Sequence, residues 1–220
     1  MEQKILSTTS SLFSLMGIQQ LRMADLAQHM GVSKKTLYRF FPSREQLVER
    51  VVAEMGESLT HQLREVSLSE TNTLKQLTSY ITTMATFYKR WSPVFFADLQ
   101  KHYPSLWTSI STEVRQLLLN LLRRNLESGI QQGIYRGNIH PGLLVTLWQQ
   151  HFYNDFRYCE QLSTDYSKEE VFRQSCLLFL YGIILPSKIP ALEKLMLDYQ
   201  IQANQSTSFY TPQYINQAIV

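Results

Sequence analysis

The segment that decides the fold spans residues 24–47 and reads ADLAQHMGVSKKTLYRFFPSREQL. Ahead of Gly31, apolar residues recur at spacings of three and four positions, which predicts one short helix. A second short helix is predicted to begin at Ser33 and to end before Pro42, because proline disfavours helical geometry in the residue that precedes it. Two short helices joined by a glycine-containing turn indicate a helix-turn-helix over residues 23–41.

The second helix of this pair has a surface suited to DNA. At 100° per residue, Leu37 and Phe40 fall on one side of the helix, whereas cationic and hydroxyl-bearing residues fall on the other. Lysine and arginine neutralise phosphates and contact guanine, and hydroxyl groups reach phosphates. A charged face on a short helix is more often merely solvated, and Tyr38 could also pack at the helix edge, but the surrounding residues favour DNA. The residues assigned to this face are Lys34, Lys35, Thr36, Tyr38 and Arg39.

The stretch from Gly31 to Glu45, GVSKKTLYRFFPSRE, resembles the DNA-binding region of the tetracycline-repressor (TetR) family almost position for position. A weaker match, Gly129 to Arg136, is similar to a stretch common in the regulatory half of that family. The resemblance implies an all-α protein with an N-terminal three-helix DNA-binding domain and a larger C-terminal helical domain for ligand binding and dimerisation. It also implies that the cations named above lie on the recognition helix and that Arg44 meets a phosphate.

One departure from the family pattern lies at the start of the second helix. The family usually has a threonine there that caps the helix and meets the DNA backbone, whereas this chain has Leu21 and Arg22. We expect the cap to be lost and the charge of Arg22 to replace the phosphate contact. The complete set of predicted DNA-binding residues is Arg22, Ser33, Lys34, Lys35, Thr36, Tyr38, Arg39 and Arg44.

The flanking sequence extends this unit in both directions. Upstream, a first helix with one apolar face is predicted to stop at Gly17. Downstream, the spacing of Ser43 and Gln46 is typical of a capping box that begins a fourth helix. We expect a DNA-binding domain over residues 1–64, with a reading head at about 1–47 and a linking helix at about 43–64. The regulatory domain is predicted over residues 65–220, with a mobile tail at about 203–220.

The regulatory domain is also predicted to be helical, because glycine and proline are scarce and helical periodicity continues to about residue 201. Its helix from the capping pattern at Ser167 to Leu185 is apolar on nearly all sides and must be covered on all sides. With the helix over about 141–158, it is predicted to form the dimer interface as a four-helix bundle. The predicted interface residues are Leu144, Trp148, Phe152, Phe172, Leu178 and Phe179.

Large apolar side chains that flank helix breaks predict a ligand pocket, because pockets tend to form at such breaks. Aromatic residues at helical spacing are more often plain core, so each of them has that alternative. The predicted pocket residues are Met84, Tyr88, Trp91, Phe95, Phe96, Tyr103 and Trp107.

Composition excludes several classes of protein. The formal net charge of +3 over 220 residues is too small for a protein that coats nucleic acid, so DNA contacts must be local. The longest apolar run, Cys176 to Leu185, is too short to span a bilayer, and Leu12 to Ile18 is interpreted as helix and not as a signal peptide. The five histidines show no metal-ligand pairing, and Cys159 and Cys176 are interpreted as inert core thiols. We therefore expect a cytoplasmic bacterial protein with no cofactor.

The leading hypothesis is a repressor that binds a pseudo-palindromic DNA operator and is released by a small hydrophobic or aromatic effector. It should be a homodimer, because two recognition helices must reach successive major grooves about 34 Å apart and one chain carries one such helix. The alternative is an effector-independent DNA-binding adaptor or architectural protein of the same fold, whose core would be filled. An activator is not distinguished from a repressor, and an enzyme is the weakest alternative because no catalytic constellation is present.

Overall fold

In the computed structural model, the backbone is described for residues 1–158 and 168–206, and the side chains for residues 1–150 and 174–197. Over these residues the regular elements are α-helices, apart from one short 3-10 turn at Pro186–Lys188. The all-α prediction is therefore confirmed. The helices are α1 (Glu2–Met16), α2 (Met23–Met30), α3 (Lys34–Phe40), α4 (Arg44–Ser69), α5 (Thr73–Arg90), α6 (Pro93–His102), α7 (Pro104–Gln131), α8 (Pro141–Tyr158), α9 (Lys168–Ile183) and α10 (Ile189–Ser206).

The short N-terminal helices begin and end where local chemistry favours it. α1 ends at Gly17 and α2 at Gly31, whose φ angles of 83° and 67° lie in the left-handed region that glycine adopts without steric cost. The Oγ atom of Ser43 accepts a hydrogen bond from the backbone N–H of Gln46 at 3.1 Å, which confirms Ser43 as the N-cap of α4. The helix-turn-helix over residues 23–41 is therefore present as α2 and α3.

Two hydrophobic cores share the long helix α4. The first core joins α1–α3 and the first half of α4 to residues around α6, including Trp91, Phe95 and Leu99. The second core joins the second half of α4 to α5, α7, α8, α9 and α10. Because the first core draws in residues well beyond residue 64, the reading head packs directly on the predicted regulatory half.

The loop after α7 explains the weaker family-like stretch at residues 129–136. A Cβ atom at Gly129 would collide with Cε2 of Tyr135, so only glycine leaves room for that ring. The hydroxyl of Tyr135 donates to Oδ1 of Asn125 at 2.9 Å, inside the second core. Beside it, the backbone N–H of Arg136 donates to the carbonyl of Ile183 at 2.8 Å. This stretch therefore fastens the end of α7 to the end of α9.

The C-terminal predictions have mixed outcomes. Cys176 is buried, as predicted, whereas Cys159 and the capping residue Ser167 lie outside the described residues. α10 continues to Ser206, and residues 207–220, where most of the predicted tail lies, are outside the described part. None of the described helices is long and apolar enough to cross a membrane.

Candidate nucleic-acid interface

The recognition helix α3 is anchored by a buried side chain and capped at its start. Leu37 is fully buried and fixes the helix on the first core. Ser33 Oγ accepts a hydrogen bond from the backbone N–H of Thr36 at 3.0 Å and lies 2.8 Å from the hydroxyl of the same residue. Ser33 and Thr36, both predicted to bind DNA, thus cap α3 as well. The predicted DNA-binding residues that α3 exposes are Lys34, Lys35, Tyr38 and Arg39.

α2 begins without a hydrogen bond from a side-chain cap at Arg22, as expected, but its first turn makes a different contact. The backbone N–H of Arg22 donates to Oδ2 of Asp25 at 2.8 Å, so a carboxylate in the first turn satisfies the group that precedes the helix. A negative charge at this end also interacts favourably with the helix dipole. The side chain of Arg22 is exposed, and its contact with a phosphate stays a prediction.

Arg44, predicted to meet a phosphate, contacts protein groups in the structure. Its Nη2 atom donates to the carbonyl of Ile18 at 2.6 Å, and its Nη1 atom donates to the hydroxyl of Tyr103 at 2.9 Å. The guanidinium is partly buried between the loop that precedes α2 and the junction of α6 with α7. The family pattern implied a phosphate contact, but these partners come from residues far away in the sequence and could not be read from it.

The predicted aromatic pocket is mostly filled core. Trp91 and Phe95 are 3% and 0% exposed and belong to the first core, and Phe96, Tyr103 and Trp107 pack against it. The physical reason is that the short helix α6 packs on α1 and α7, so Phe95 and Phe96 fill the contacts between these helices.

A cavity of about 120 Å³ lies instead in the second core, between α5, α7 and α8. Met84 and Tyr88 are the two predicted pocket residues that line it, and burial raises the pKa of the Tyr88 phenol, which therefore stays neutral. Among the lining residues, Arg115 carries a charge and Gln149 an amide. Residues 114–122 also contain Gln116 and Asn120, so the sequence held no signal that singled out Arg115. The lining residues are Ile81, Met84, Tyr88, Val114, Arg115, Leu118, Leu119, Leu122, Trp148 and Gln149.

The apolar side chains exposed on α8 and α9 differ from the predicted interface residues, except for Leu178. Trp148 is 7% exposed, lines the cavity and stacks on Phe179, with 4.8 Å between ring centroids. Leu144 and Phe179 are partly buried against the second core, and the side chains of Phe152 and Phe172 lie outside the described residues. Both faces of α8 are apolar, so periodicity alone could not tell which one points outward. The apolar side chains exposed on α8 and α9 are Leu143, Leu147, Leu178 and Tyr181.

Comparison with known proteins bears on both halves of the chain. Residues 5–51 match the family model described as bacterial regulatory proteins, tetR family. The helix-turn-helix-type transcriptional regulator YvaF of Bacillus subtilis, itself uncharacterized, is 26% identical over 149 residues, which cover 67% of this chain and 77% of YvaF.

Two further matches have more limited meaning. The nucleoid occlusion factor SlmA of Photobacterium profundum is 27% identical over 129 residues, which cover 53% of this chain and 65% of SlmA. The structure of the ketosteroid transcriptional regulator KstR2 of Mycobacterium tuberculosis superimposes with a TM-score of 0.59, covering 84% of this chain and 95% of KstR2 at 18% identity. At that identity the superposition establishes a common fold alone.

Proposed function

We propose that the chain is a transcriptional repressor of the TetR family of bacterial regulatory proteins, released from its operator by a small hydrophobic or aromatic effector. The observation that carries this proposal is the exposed cationic face of α3, held outward by the buried Leu37 and the cap at Ser33. A short, rigid helix with Lys35, Tyr38 and Arg39 in solvent is what entry into a major groove requires.

Homodimerisation is part of the proposal. A pseudo-palindromic operator presents two half-sites about 34 Å apart, so a second copy of α3 is needed. The exposed leucines of α8 and α9, with Leu178 at 75% exposure, offer an apolar surface that a second copy of the same helices can cover around a two-fold axis. The partner's α8 and α9 would complete a four-helix bundle there.

The effector site is proposed to be the cavity between α5, α7 and α8. Its lining is apolar except at a few positions, so it favours a compound with an aromatic or aliphatic body and one polar group that meets Arg115 or Gln149. Its volume of about 120 Å³ is below the ~300 Å³ at which small-molecule pockets usually begin, so the effector must widen it. An effector that prefers a widened state lowers operator affinity if that state holds the two copies of α3 at the wrong spacing.

The DNA-binding part is tested by selecting duplexes from a random pool with the purified protein at modest ionic strength. We expect an enriched inverted repeat whose binding is weakened by Lys35→Ala and Arg39→Ala but not by Lys194→Ala, a matched change of an exposed lysine on α10. If no duplex is preferred over random competitor DNA, the proposal is wrong.

The effector part is tested with Trp148, because its ring lines the cavity. In a Trp91→Phe and Trp107→Phe background, the fluorescence of Trp148 should change when an effector binds, and the same compound should release the selected operator. A panel of aromatic and aliphatic compounds, each as its neutral amide and its carboxylate, would also test whether Arg115 favours anions.

A second candidate function is DNA binding that no small molecule controls. The similarity to SlmA, whose name denotes a nucleoid occlusion factor, favours it, and so does the small volume of the cavity. The two candidates differ in one measurement. Specific DNA binding that no compound alters, combined with a Leu118→Phe variant that behaves as the unchanged protein in cells, would support the second candidate over the first.

A further inference from the structure

The loop at residues 17–22, which precedes α2 and is called the junction loop here, is held by the regulatory half of the chain. Asp98 on α6 accepts a hydrogen bond through Oδ2 from the backbone N–H of Gln19 at 2.8 Å. The backbone N–H of Ser92, the N-cap of α6, donates to the carbonyl of Ser14 at 2.8 Å. At Gly17, a Cβ atom would lie 2.7 Å from Cγ1 of Val94, so the backbone of the loop sits directly on α6.

Arg44 completes this attachment from the other side. One guanidinium holds the carbonyl of Ile18 at 2.6 Å and the hydroxyl of Tyr103 at 2.9 Å, and its Nη2 also lies 3.5 Å from the carbonyl of Leu21. The planar, forked guanidinium offers several donors in fixed directions, whereas a lysine ammonium is a compact charge on a flexible stem. Both terminal nitrogens of Arg44 therefore have protein acceptors at short distance.

Tyr103 is the partner of Arg44 in the regulatory half. It is the residue between α6 and α7, and burial raises the pKa of its phenol above the ordinary range although the charge of Arg44 opposes this, so it stays a neutral hydroxyl. One side of α6 also contacts the wall of the cavity. The ring of Phe96 lies 5.9 Å from that of Tyr88, which lines the cavity, and 6.0 Å from that of Trp107 on α7.

We propose that Arg44 and Tyr103 form a positioning contact that sets the angle of the reading head on the regulatory half, and that Arg44 does not serve as a phosphate ligand. The contact joins the junction loop, the start of α4 and the junction of α6 with α7. These elements have to keep their relative positions if two copies of α3 are to match successive grooves. The junction loop leads directly into α2, so a shift of the α6–α7 junction reaches the recognition helix through residues 17–22. This proposal rests on the proposed DNA-binding function where operator affinity is the readout.

The salt dependence of operator binding separates a positioning role from a phosphate contact. A lost phosphate contact reduces the slope of log K against log salt concentration by about 0.9, whereas a lost positioning contact lowers affinity and leaves the slope unchanged. We expect Arg44→Gln to weaken binding about tenfold at every salt concentration. Lys35→Gln, the matched change on α3, should instead reduce the slope. A reduced slope for Arg44→Gln would overturn the proposal.

A double-mutant cycle tests whether the two side chains act as one contact. Tyr103→Phe removes only a hydroxyl and should weaken operator binding about fivefold in the otherwise unchanged protein. In the Arg44→Gln background it should have almost no further effect, and Arg44→Lys should not restore affinity, because one ammonium cannot reach both acceptors. Equal effects of Tyr103→Phe in both backgrounds would mean that the residues act independently, which contradicts the proposal.

Hydrogen exchange provides a readout that needs no DNA and so separates failure of this inference from failure of the proposed function. In Arg44→Gln and in Tyr103→Phe, the amide of Gln19, held by Asp98 at 2.8 Å, should exchange faster, with no change in Lys35→Gln. Amides in α7 near Leu122 serve as the internal reference for global stability. Unchanged exchange in the junction loop of both variants would show that the contact positions nothing.

Discussion

The two hydrophobic cores of this molecule differ in how fully side chains fill them. In the first core, around the reading head, the ring of Trp91 packs at a tilt against that of Phe95 with 4.3 Å between ring centroids, and Phe95 is fully buried. The second core contains a cavity of about 120 Å³ and leaves Leu178 exposed on its outer helices. The same chain therefore builds one core that aromatic side chains fill and one core that has room inside.

The difference follows from the work that each half is proposed to do. A recognition helix must keep a fixed orientation, and close packing without voids provides that rigidity. A site that changes state on binding an effector needs a second arrangement of comparable free energy, which a completely filled core does not provide. Rigidity and adaptability are thus assigned to different cores, which α4 and α6 connect.

The largest effect should come from removing an aromatic ring from the first core. Phe95→Ala deletes a fully buried side chain with close partners on several helices, and we expect it to lower the free energy of unfolding by about 3–5 kcal/mol. Leu118→Ala, beside the existing cavity, should cost clearly less because its surroundings are already open. Chemical denaturation of both variants measures the contrast, and equal losses would remove the distinction between the two cores.

The next effect tests the exposed surface of the second core. Leu178→Glu places two carboxylates against each other at a two-fold interface, which costs several kcal/mol, so we expect monomers and a loss of operator affinity of at least about a hundredfold. Leu68→Glu changes a side chain that is 80% exposed on α4 and serves as the matched control. Analytical ultracentrifugation gives the oligomeric state. A dimer that survives Leu178→Glu would place the interface elsewhere.

A third change tests whether the second core is loosely packed throughout or only near its cavity. Asn125 donates through Nδ2 to the carbonyl of Thr73 at 2.8 Å and accepts from the hydroxyl of Tyr135 at 2.9 Å, all inside the second core. Asn125→Ala leaves these buried groups without this partner, and we expect a loss of about 1–3 kcal/mol in unfolding free energy. Asn120→Ala, exposed on the same helix, should have no measurable effect. A small loss for Asn125→Ala would mean that this end of the core is loosely packed too.

Much of the fold could be predicted from the sequence because its signals are local. The turn at Gly31, the cap at Ser43 and the proline start of α6 depend on neighbours within four residues, and all three are present. The exposed cations of α3 follow from the same short-range geometry.

The remainder depends on contacts between distant residues. Arg44 has its hydroxyl partner 59 residues away, so no local pattern could indicate its direction. Phe95 and Tyr88 have the same aromatic character, and only the packing of α6 on the reading head decides that the first fills a core while the second lines a cavity. On α8, Leu147 and Trp148 are adjacent and both apolar, and tertiary packing alone buries one and exposes the other.

The smallest change in stability should accompany the most specific change in function. Leu118→Phe adds volume where space already exists, so we expect it to alter the free energy of unfolding by less than about 1.5 kcal/mol, whereas Leu26→Phe in the filled first core should cost about 1–3 kcal/mol. Because the new ring occupies the cavity, operator binding should persist while the response to effector is lost. Thermal unfolding and operator titrations with and without effector measure both quantities. A Leu118→Phe protein that still releases DNA would place the effector outside this cavity, and the second core would then be open for some other reason.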